Sequence, residues 1–435
     1  MKYFISFILS LLLVMPCNVG AEDIIRRGET LNIERCIEIA LKMYPNIIAA
    51  KSNVEANISR VGQSKAGYYP QINWSSSYDR VRPTGSSSLY TTTDVPSGRN
   101  GHSFDEYSSG FNLSQSIIDF GKTQTQVNIQ EFNLSSSRSD LEDVSEQVIL
   151  NVKQAYYGVL QAKRSRDVFG ESVNQFQRHL EQARGFYEVG TKPKFDVTKA
   201  EVDLSNAKLN LIKSENALKL AIVHLNNAMG ITAEIQYTLE DNLAFQKYET
   251  ALEVAVEKAY KNRPDLQSVT TKMLASESSI ELVKKEYYPV LVGNAAYNWS
   301  GEEFPLDSGW SVGATLSFPI FSGFSTKYQV AEANANFNIL KANQESLRQN
   351  VLLEVKQAYL NLKDAEERIP TAELTVKQAE ENFEIANGRY AAGVGNPIEV
   401  TDAEVALSNA KASYIQALYD YKVAQASLEK AMGSK

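Results

Sequence analysis

The chain has little of what most enzymes use. Its 435 residues hold three histidines, His102, His179 and His224, and two cysteines, Cys17 and Cys36. None of the histidines has a carboxylate or cysteine partner at metal-ligand spacing. No metal site, cofactor or catalytic constellation is therefore expected, and no enzymatic activity. Cys17 lies in an N-terminal apolar segment, so removal of that segment leaves Cys36 alone and excludes an intramolecular disulfide. Beyond that segment no apolar run reaches about 18 residues, which excludes a membrane-spanning helix. Gly121-Lys122-Thr123 resembles the end of a phosphate loop, but Ser116 stands where its first glycine belongs, and a nucleotide site is not expected.

What the N-terminus does contain is Lys2, an apolar run over residues 4–15, and Val19-Gly20-Ala21 before Glu22. This pattern reads as a secretory signal peptide over residues 1–21, too short for a stable span. A buried N-terminal helix is the competing reading. Val14-Met15-Pro16 fits a lipid-attachment motif at Cys17 poorly. Removing residues 1–21 takes away one lysine and leaves 43 basic against 52 acidic residues, a net charge of −9. An exported, mildly acidic chain gives no reason to expect nucleic acid as a partner.

The chain repeats itself. Val197-Thr-Lys-Ala-Glu-Val-Asp-Leu-Ser-Asn-Ala-Lys208 returns as Val400-Thr-Asp-Ala-Glu-Val-Ala-Leu-Ser-Asn-Ala-Lys411, ten of twelve positions being identical. Earlier, Ile33, Cys36, Ile37, Ala40 and Leu41 mark one helix face, and Leu252, Ala255, Val256, Ala259 and Tyr260 mark another 219 positions later. Pro45 and Pro264 end these helices, and Tyr69-Pro70 and Tyr288-Pro289 mark the next change at the same offset. Cys36 thus stands opposite Ala255, as a small core residue.

After each Tyr-Pro the period becomes two. Ile72, Trp74, Ser76 and Tyr78 alternate with Gln71, Asn73, Ser75 and Ser77, and Phe111, Leu113, Gln115 and Ile117 return. The second copy gives Leu291, Ala295, Tyr297 and Trp299, then Trp310, Val312, Ala314, Leu316 and Phe318. One apolar face and one small polar face fit an ordinary half-buried strand, and equally a barrel strand between lipid and water. Two hairpins cannot close a membrane barrel, because about eight strands are the minimum, so the membrane reading requires an oligomer. Residues 79–106 read as a long polar loop, and residues 300–309 as its shorter counterpart. The repeat offset falls accordingly from 219 to 203 by Leu113 and Leu316.

Next, residues 122–189 lack proline and carry an apolar seam: Leu141, Val144, Val148, Val152, Ala155, Val159 and Ala162, resumed by Phe169, Val173, Phe176, Leu180, Ala183 and Tyr187. Steps of three and four give the coiled-coil period. Residues 325–392 repeat the seam through Val351, Val355, Ala358, Leu362, Ala365 and Ile369, with Pro370 expected to kink it. Return helices over 196–229 and 399–432 follow glycine-bearing turns. The layout is then a signal peptide (1–21), a first repeat (22–230, hairpin about 70–118, long helix 122–189), a connector (231–250) and a second repeat (251–435, hairpin about 289–320, long helix 325–392). Glu399 and Asp402 share one face of a first helical turn. Dipole complementarity accounts for them and for Asp196, and a ring of subunits would make the same acids a cation-favouring constriction.

The order of these features resembles the TolC-like outer-membrane efflux protein family over essentially the whole mature chain. The residues that carry the resemblance are Tyr68-Tyr69-Pro70 and Tyr287-Tyr288-Pro289, residues 113–121 and 316–323 after the strands, Asn262-Arg-Pro-Asp-Leu266, and the turns Tyr187-Glu-Val-Gly-Thr191 and Tyr390-Ala-Ala-Gly-Val394. The resemblance implies a mixed α/β membrane protein. In it, three chains give four strands each to a 12-stranded transmembrane β-barrel, continued by a long periplasmic α-helical barrel. It implies an exit duct of a tripartite efflux pump or type I secretion system in the outer membrane of a Gram-negative cell. The implied partners are two further copies, a periplasmic adaptor, an inner-membrane transporter and lipid. By position, Tyr390 is similar to the gate tyrosine, Glu399 and Asp402 to the acidic constriction, and Asp196 to the tip aspartate. Val189, Gly190, Thr191, Gly393 and Val394 look like adaptor-contacting turns. Some family members carry an arginine where this chain has Gly395, so a latch built on that cation is not expected here. Nor is a C-terminal extension around the tunnel, the chain stopping soon after Met432-Gly433. The competing class is a periplasmic coiled-coil scaffold or adhesin outside the bilayer.

Overall fold

The computed structural model describes residues 25–26, 28–82, 103–232 and 236–434. The predicted signal peptide lies outside them, as do residues 83–102 of the polar loop. In chain order the elements are β1 (Thr30–Leu31), α1 (Ile33–Met43), α2 (Pro45–Lys65), β2 (Gln71–Val81), β3 (Phe104–Ile118), α3 (Lys122–Glu188) and α4 (Lys194–Met229). Then come β4 (Thr238–Leu239), α5 (Leu252–Asn262), α6 (Pro264–Lys284), β5 (Val290–Gly301), β6 (Asp307–Ser317), α7 (Ser325–Ala391) and α8 (Pro397–Ala431). Two compact units share these elements.

The first unit comprises Met1–Lys51, Leu141–Pro264 and Arg348–Lys435. In it α1 starts at Asn32, whose side chain accepts the Arg35 N–H, and buries Ile33, Cys36, Ile39 and Ala40. Burial pushes the Cys36 thiol up to about 12, so it sits in the core as an inert apolar residue. Tyr44 leaves the helical region, and Pro45, which has no N–H to offer, opens α2. The long helices bury their seams: Val148, Val152, Tyr156 and Leu160 of α3, Val351, Val355, Leu362 and Ile369 of α7, and Leu418, Tyr421 and Leu428 of α8. Two of these tyrosines hold the connector. Tyr156 donates to the Glu240 carbonyl at 2.6 Å, and Tyr421 donates to the Gln246 carbonyl at 2.8 Å.

Pro370 does not interrupt α7, which is helical from Ser325 to Ala391. The ring stands on an exposed position while its neighbour Ile369 stays in the seam.

The second unit comprises Ser52–Asp140 and Asp265–Leu347 and contains an antiparallel sheet of order β2-β3-β5-β6. Its register shows which residues of the four strands share a face. Trp74 lies opposite Phe111, Phe111 opposite Tyr297 and Tyr297 opposite Trp310. Ile72, Leu113, Ala295 and Val312 form a second such row. Cross-strand partners share a face, so one face is aromatic and aliphatic across four strands. The other carries rows such as Asn73, Asn112, Ala296 and Ser311. The first hairpin is longer than its composition suggests. Residues 79–81 and 104–106, read as loop, continue the ladder, because Arg80 pairs with Asp105 at 3.8 Å and Tyr78 donates to Asp105 at 3.0 Å. No helix among the described residues is long and apolar enough to cross a membrane.

Candidate functional site

The two helix reversals of the first unit form the candidate site. After α3, Gly190 takes φ 72°, and after α7, Gly393 takes φ 81°, a region that other residues enter at a cost. Each closes a Schellman cap. Thr191 N–H bonds the Phe186 carbonyl at 3.0 Å, and Val394 N–H bonds the Arg389 carbonyl at 3.1 Å. The return helices start differently. Asn396 caps α8 by accepting the Ile398 N–H with Pro397 in the first position, whereas Pro193 ahead of α4 offers no side-chain cap.

Behind the first turn, Phe176, Leu180 and Ala183 of α3 pack on Ala200, Leu204 and Ala207 of α4. The second turn delivers Tyr390 to the same region. Its side chain is fully buried, 4.8 Å from the His179 ring and 5.7 Å edge-on to Phe186. Burial, with the nearby Asp196 charge adding to it, pushes the Tyr390 hydroxyl up to about 12. Asp196 is buried too, but its Oδ2 and the Tyr390 hydroxyl both lack hydrogen-bond partners among the described residues. The two therefore lie close without bonding.

The remaining predicted residues are solvent-facing in the single chain. Glu399 and Asp402 are exposed, and Glu399 reaches Arg389 at 3.6 Å. Val189 and Val394 are 72% and 74% exposed, and Gly190, Thr191 and Gly393 lie on the exposed turns with them.

Sequence reasoning missed four groups here. His179, set aside as an isolated histidine, is buried with neither ring nitrogen hydrogen-bonded among the described residues, and burial lowers its pKa. Asp203 is buried, bonded by Lys199 at 2.6 Å and by the Thr401 hydroxyl at 2.8 Å. Glu404 is buried, and loss of solvation raises it to about 7, partly offset by the Ser172 and Ser408 hydroxyls. Lys192 reaches from the first turn to the second. The Asp203-for-Ala406 difference within the repeated stretch was the one available signal; nothing local distinguished Glu404 from Glu201. A cavity of about 290 Å³ lies between α3, α7 and α8, with His179, Asn387 and Glu404 on its wall. Among the described residues no group of acids, histidines or cysteines could hold a metal ion.

A sheet with one apolar face, joined in sequence to long helix pairs that reverse at matched turns, is the fold of outer-membrane channels. The crystal structure of the CmeC outer membrane channel of Campylobacter jejuni superposes with a TM-score of 0.79 at 18% identity, covering 92% of this chain and 85% of that one. The model of the outer membrane efflux protein family matches residues 36–231 and 255–434, and the chain belongs to that family. The outer membrane protein TolC of Escherichia coli strain K12 is 23% identical over 424 residues, covering 93% of this chain and 82% of TolC. The alkaline protease secretion protein AprF of Pseudomonas aeruginosa is 23% identical over 401 residues, covering 90% and 82%.

Proposed function

We propose that three copies of this chain form an outer-membrane exit duct, the terminal component of a tripartite efflux pump or type I secretion system. The observation that carries this reading is the register of the four-stranded sheet. It aligns Trp74, Phe111, Tyr297 and Trp310 on one face and small polar residues on the other. Trp74, Trp310 and Val312 are 63%, 76% and 74% exposed, and burying such surface in lipid is favourable by about 25 cal/mol per Å². Strands of 11, 15, 12 and 11 residues meet the roughly 9–11 that a tilted membrane strand needs. In this sheet β2 and β6 are the edge strands, and four strands fall short of the roughly eight a barrel requires. Twelve strands from three chains close it without edges, with the duplicated helices of each chain lining the periplasmic part of the duct.

In this reading Tyr390, Asp196, Glu399 and Asp402 belong to the periplasmic gate. Val189, Gly190, Thr191, Gly393 and Val394 form the turns that meet a periplasmic adaptor. The duct itself is passive, and an inner-membrane transporter supplies the energy and selects the cargo. AprF is named for protease secretion and TolC for the outer membrane. The decisive experiment is membrane fractionation with gel migration before and after heating, followed by planar-bilayer recording. A heat-sensitive oligomer in the outer-membrane fraction that conducts ions is expected. Recovery as a soluble periplasmic monomer would establish the coiled-coil scaffold instead.

A further inference from the structure

Gly395 stands where some family members carry an arginine, and the geometry of the tips shows why no side chain is found there. An ideal Cβ on Gly395 would lie 2.7 Å from the Tyr390 nitrogen and 2.9 Å from the Arg389 carbonyl carbon. Those are backbone atoms at the end of α7, so no side chain fits while the second turn is folded this way. The turn is folded back tightly because Gly395 N–H bonds the Arg389 carbonyl at 2.9 Å. This leaves the Gly395 carbonyl free to accept from outside its own turn. Lys192, on the first turn, donates to it at 3.2 Å. The same ammonium stands 5.6 Å from the centre of the Tyr390 ring, within cation–π range. Lys192 is only partly exposed, so both interactions act in less than full solvent.

We propose that Lys192 is the latch of the closed tip: it clips the first helix reversal to the second within one protomer, and must leave Gly395 and Tyr390 before the second reversal can swing. Tyr390 is then held from three sides by the first reversal, by His179, by Phe186 and by the Lys192 ammonium. Of the three, only Lys192 is anchored on the turn itself rather than within α3. An adaptor that engages the exposed turn at Val189, Gly190 and Thr191 would therefore act on the latch directly, because Lys192 is the next residue of the chain. The proposal rests on the reading of these reversals as the gate of a channel.

The test compares purified wild-type, Lys192→Met, Lys192→Arg, Gly395→Ala and Lys194→Met proteins in planar bilayers. Each is first checked for oligomer by unheated gel migration. Losing one charge-assisted hydrogen bond should raise the open probability of Lys192→Met about tenfold. Lys192→Arg should restore closure, and Lys194→Met, changing an exposed neighbour outside these contacts, should match wild type. Gly395→Ala should also open the channel, and adding Lys192→Met to it should have little further effect, because both remove one contact. Amide exchange of residues 386–396 should quicken in Lys192→Met, a readout independent of conductance. Should wild type conduct while Lys192→Met gates and exchanges as wild type does, the latch is overturned and the channel reading survives. Failure of Lys192→Arg to restore closure overturns it as well, since the effect would then be packing rather than charge. Wild-type protein that never forms a conducting oligomer removes the channel reading and the latch with it.

Discussion

The two helix reversals lead into nearly the same sequence and bury opposite residues. In the first, Tyr187 is 46% exposed and Asp196 is buried. In the second, Tyr390 is fully buried and the corresponding Glu399 is exposed. One turn further on, Glu201 is exposed and pairs with Arg184 at 2.8 Å, whereas Glu404 is buried. Asp203 is buried with Lys199 and Thr401, and Ala406 occupies its place in the second copy. The first reversal acts as a platform that supplies His179, Phe186, Lys192 and a buried acid. The second is the element clamped onto it. A duplicated sequence thus gives two different parts, because the copies pack against each other rather than against equivalent surroundings.

The largest test of this difference exchanges aromatic for alanine at the paired positions. Tyr390→Ala should cost about 3–5 kcal/mol of local stability, as for other fully buried aromatics. Tyr187→Ala should stay within about 0.5 kcal/mol. Amide exchange of residues 386–394 and of 183–190 reads both, and equal losses at the two sites would mean that the asymmetry is not held in solution.

A second test uses pH. Burial raises Glu404, so its protonated form is favoured in the packed tip. A carboxyl raised in the folded state penalises that state as pH climbs from the unfolded value, about 4.5, through about 7. The penalty is on the order of 3 kcal/mol once Glu404 ionises. Tip protection should therefore be greater at pH 5 than at pH 8, and Glu404→Gln should remove that part of the dependence while Glu201→Gln leaves it. His179 acts in the opposite sense. Its lowered pKa favours the neutral ring, so its stabilising share is full above its ordinary value, 6.5, and declines as pH falls below it. His179→Gln should flatten the acid limb of the same profile; an unchanged acid limb would show that the ring is already solvated.

Asp203 comes next. Asp203→Ala should destabilise the packing of α4 on α8 by about 1–3 kcal/mol, because it strips partners from Lys199 and Thr401. A double-mutant cycle with Lys199→Met measures the pair, and a coupling near zero would assign the cost to Thr401 alone.

The smallest effect on stability belongs to the exposed acids. Glu399→Ala with Asp402→Ala should change stability by under about 1 kcal/mol, since the Glu399–Arg389 pair is exposed at both ends. If these acids ring the duct axis, the same substitutions should weaken cation preference in single-channel recordings. An unchanged ion preference would take them out of the constriction.

Much of the fold was legible because its signals are local. Pro45 after Tyr44, and Gly190 and Gly393 at the reversals each act through their own backbone, so position in sequence was enough. Alternation in residues 71–78 and 290–299 reported strands for the same reason. The ladder through Arg80 and Asp105 escaped notice because polar residues there pair across the hairpin, a contact that composition does not show. Among the residues of the candidate site, Tyr390 and Asp196 were named from the family resemblance. His179, Lys192, Asp203 and Glu404 were not, since each meets a partner about 200 or more positions away: Tyr390, Gly395, Thr401 and Ser172 respectively.

By itself, then, the sequence determined the inventory: two matched sets of helices, hairpins and reversals, with an alternating apolar face on the strands. Those outcomes follow from backbone preferences and hydrophobic periodicity, which act over a few residues. Only the tertiary structure decided which copy of the repeated stretch is buried, that Trp74 and Trp310 share a face, and that a lysine on one reversal bonds the glycine of the other. Desolvation and cross-element hydrogen bonds depend on what surrounds a residue in space, and identical stretches such as Ala200-Glu201-Val202 and Ala403-Glu404-Val405 diverge when their surroundings do.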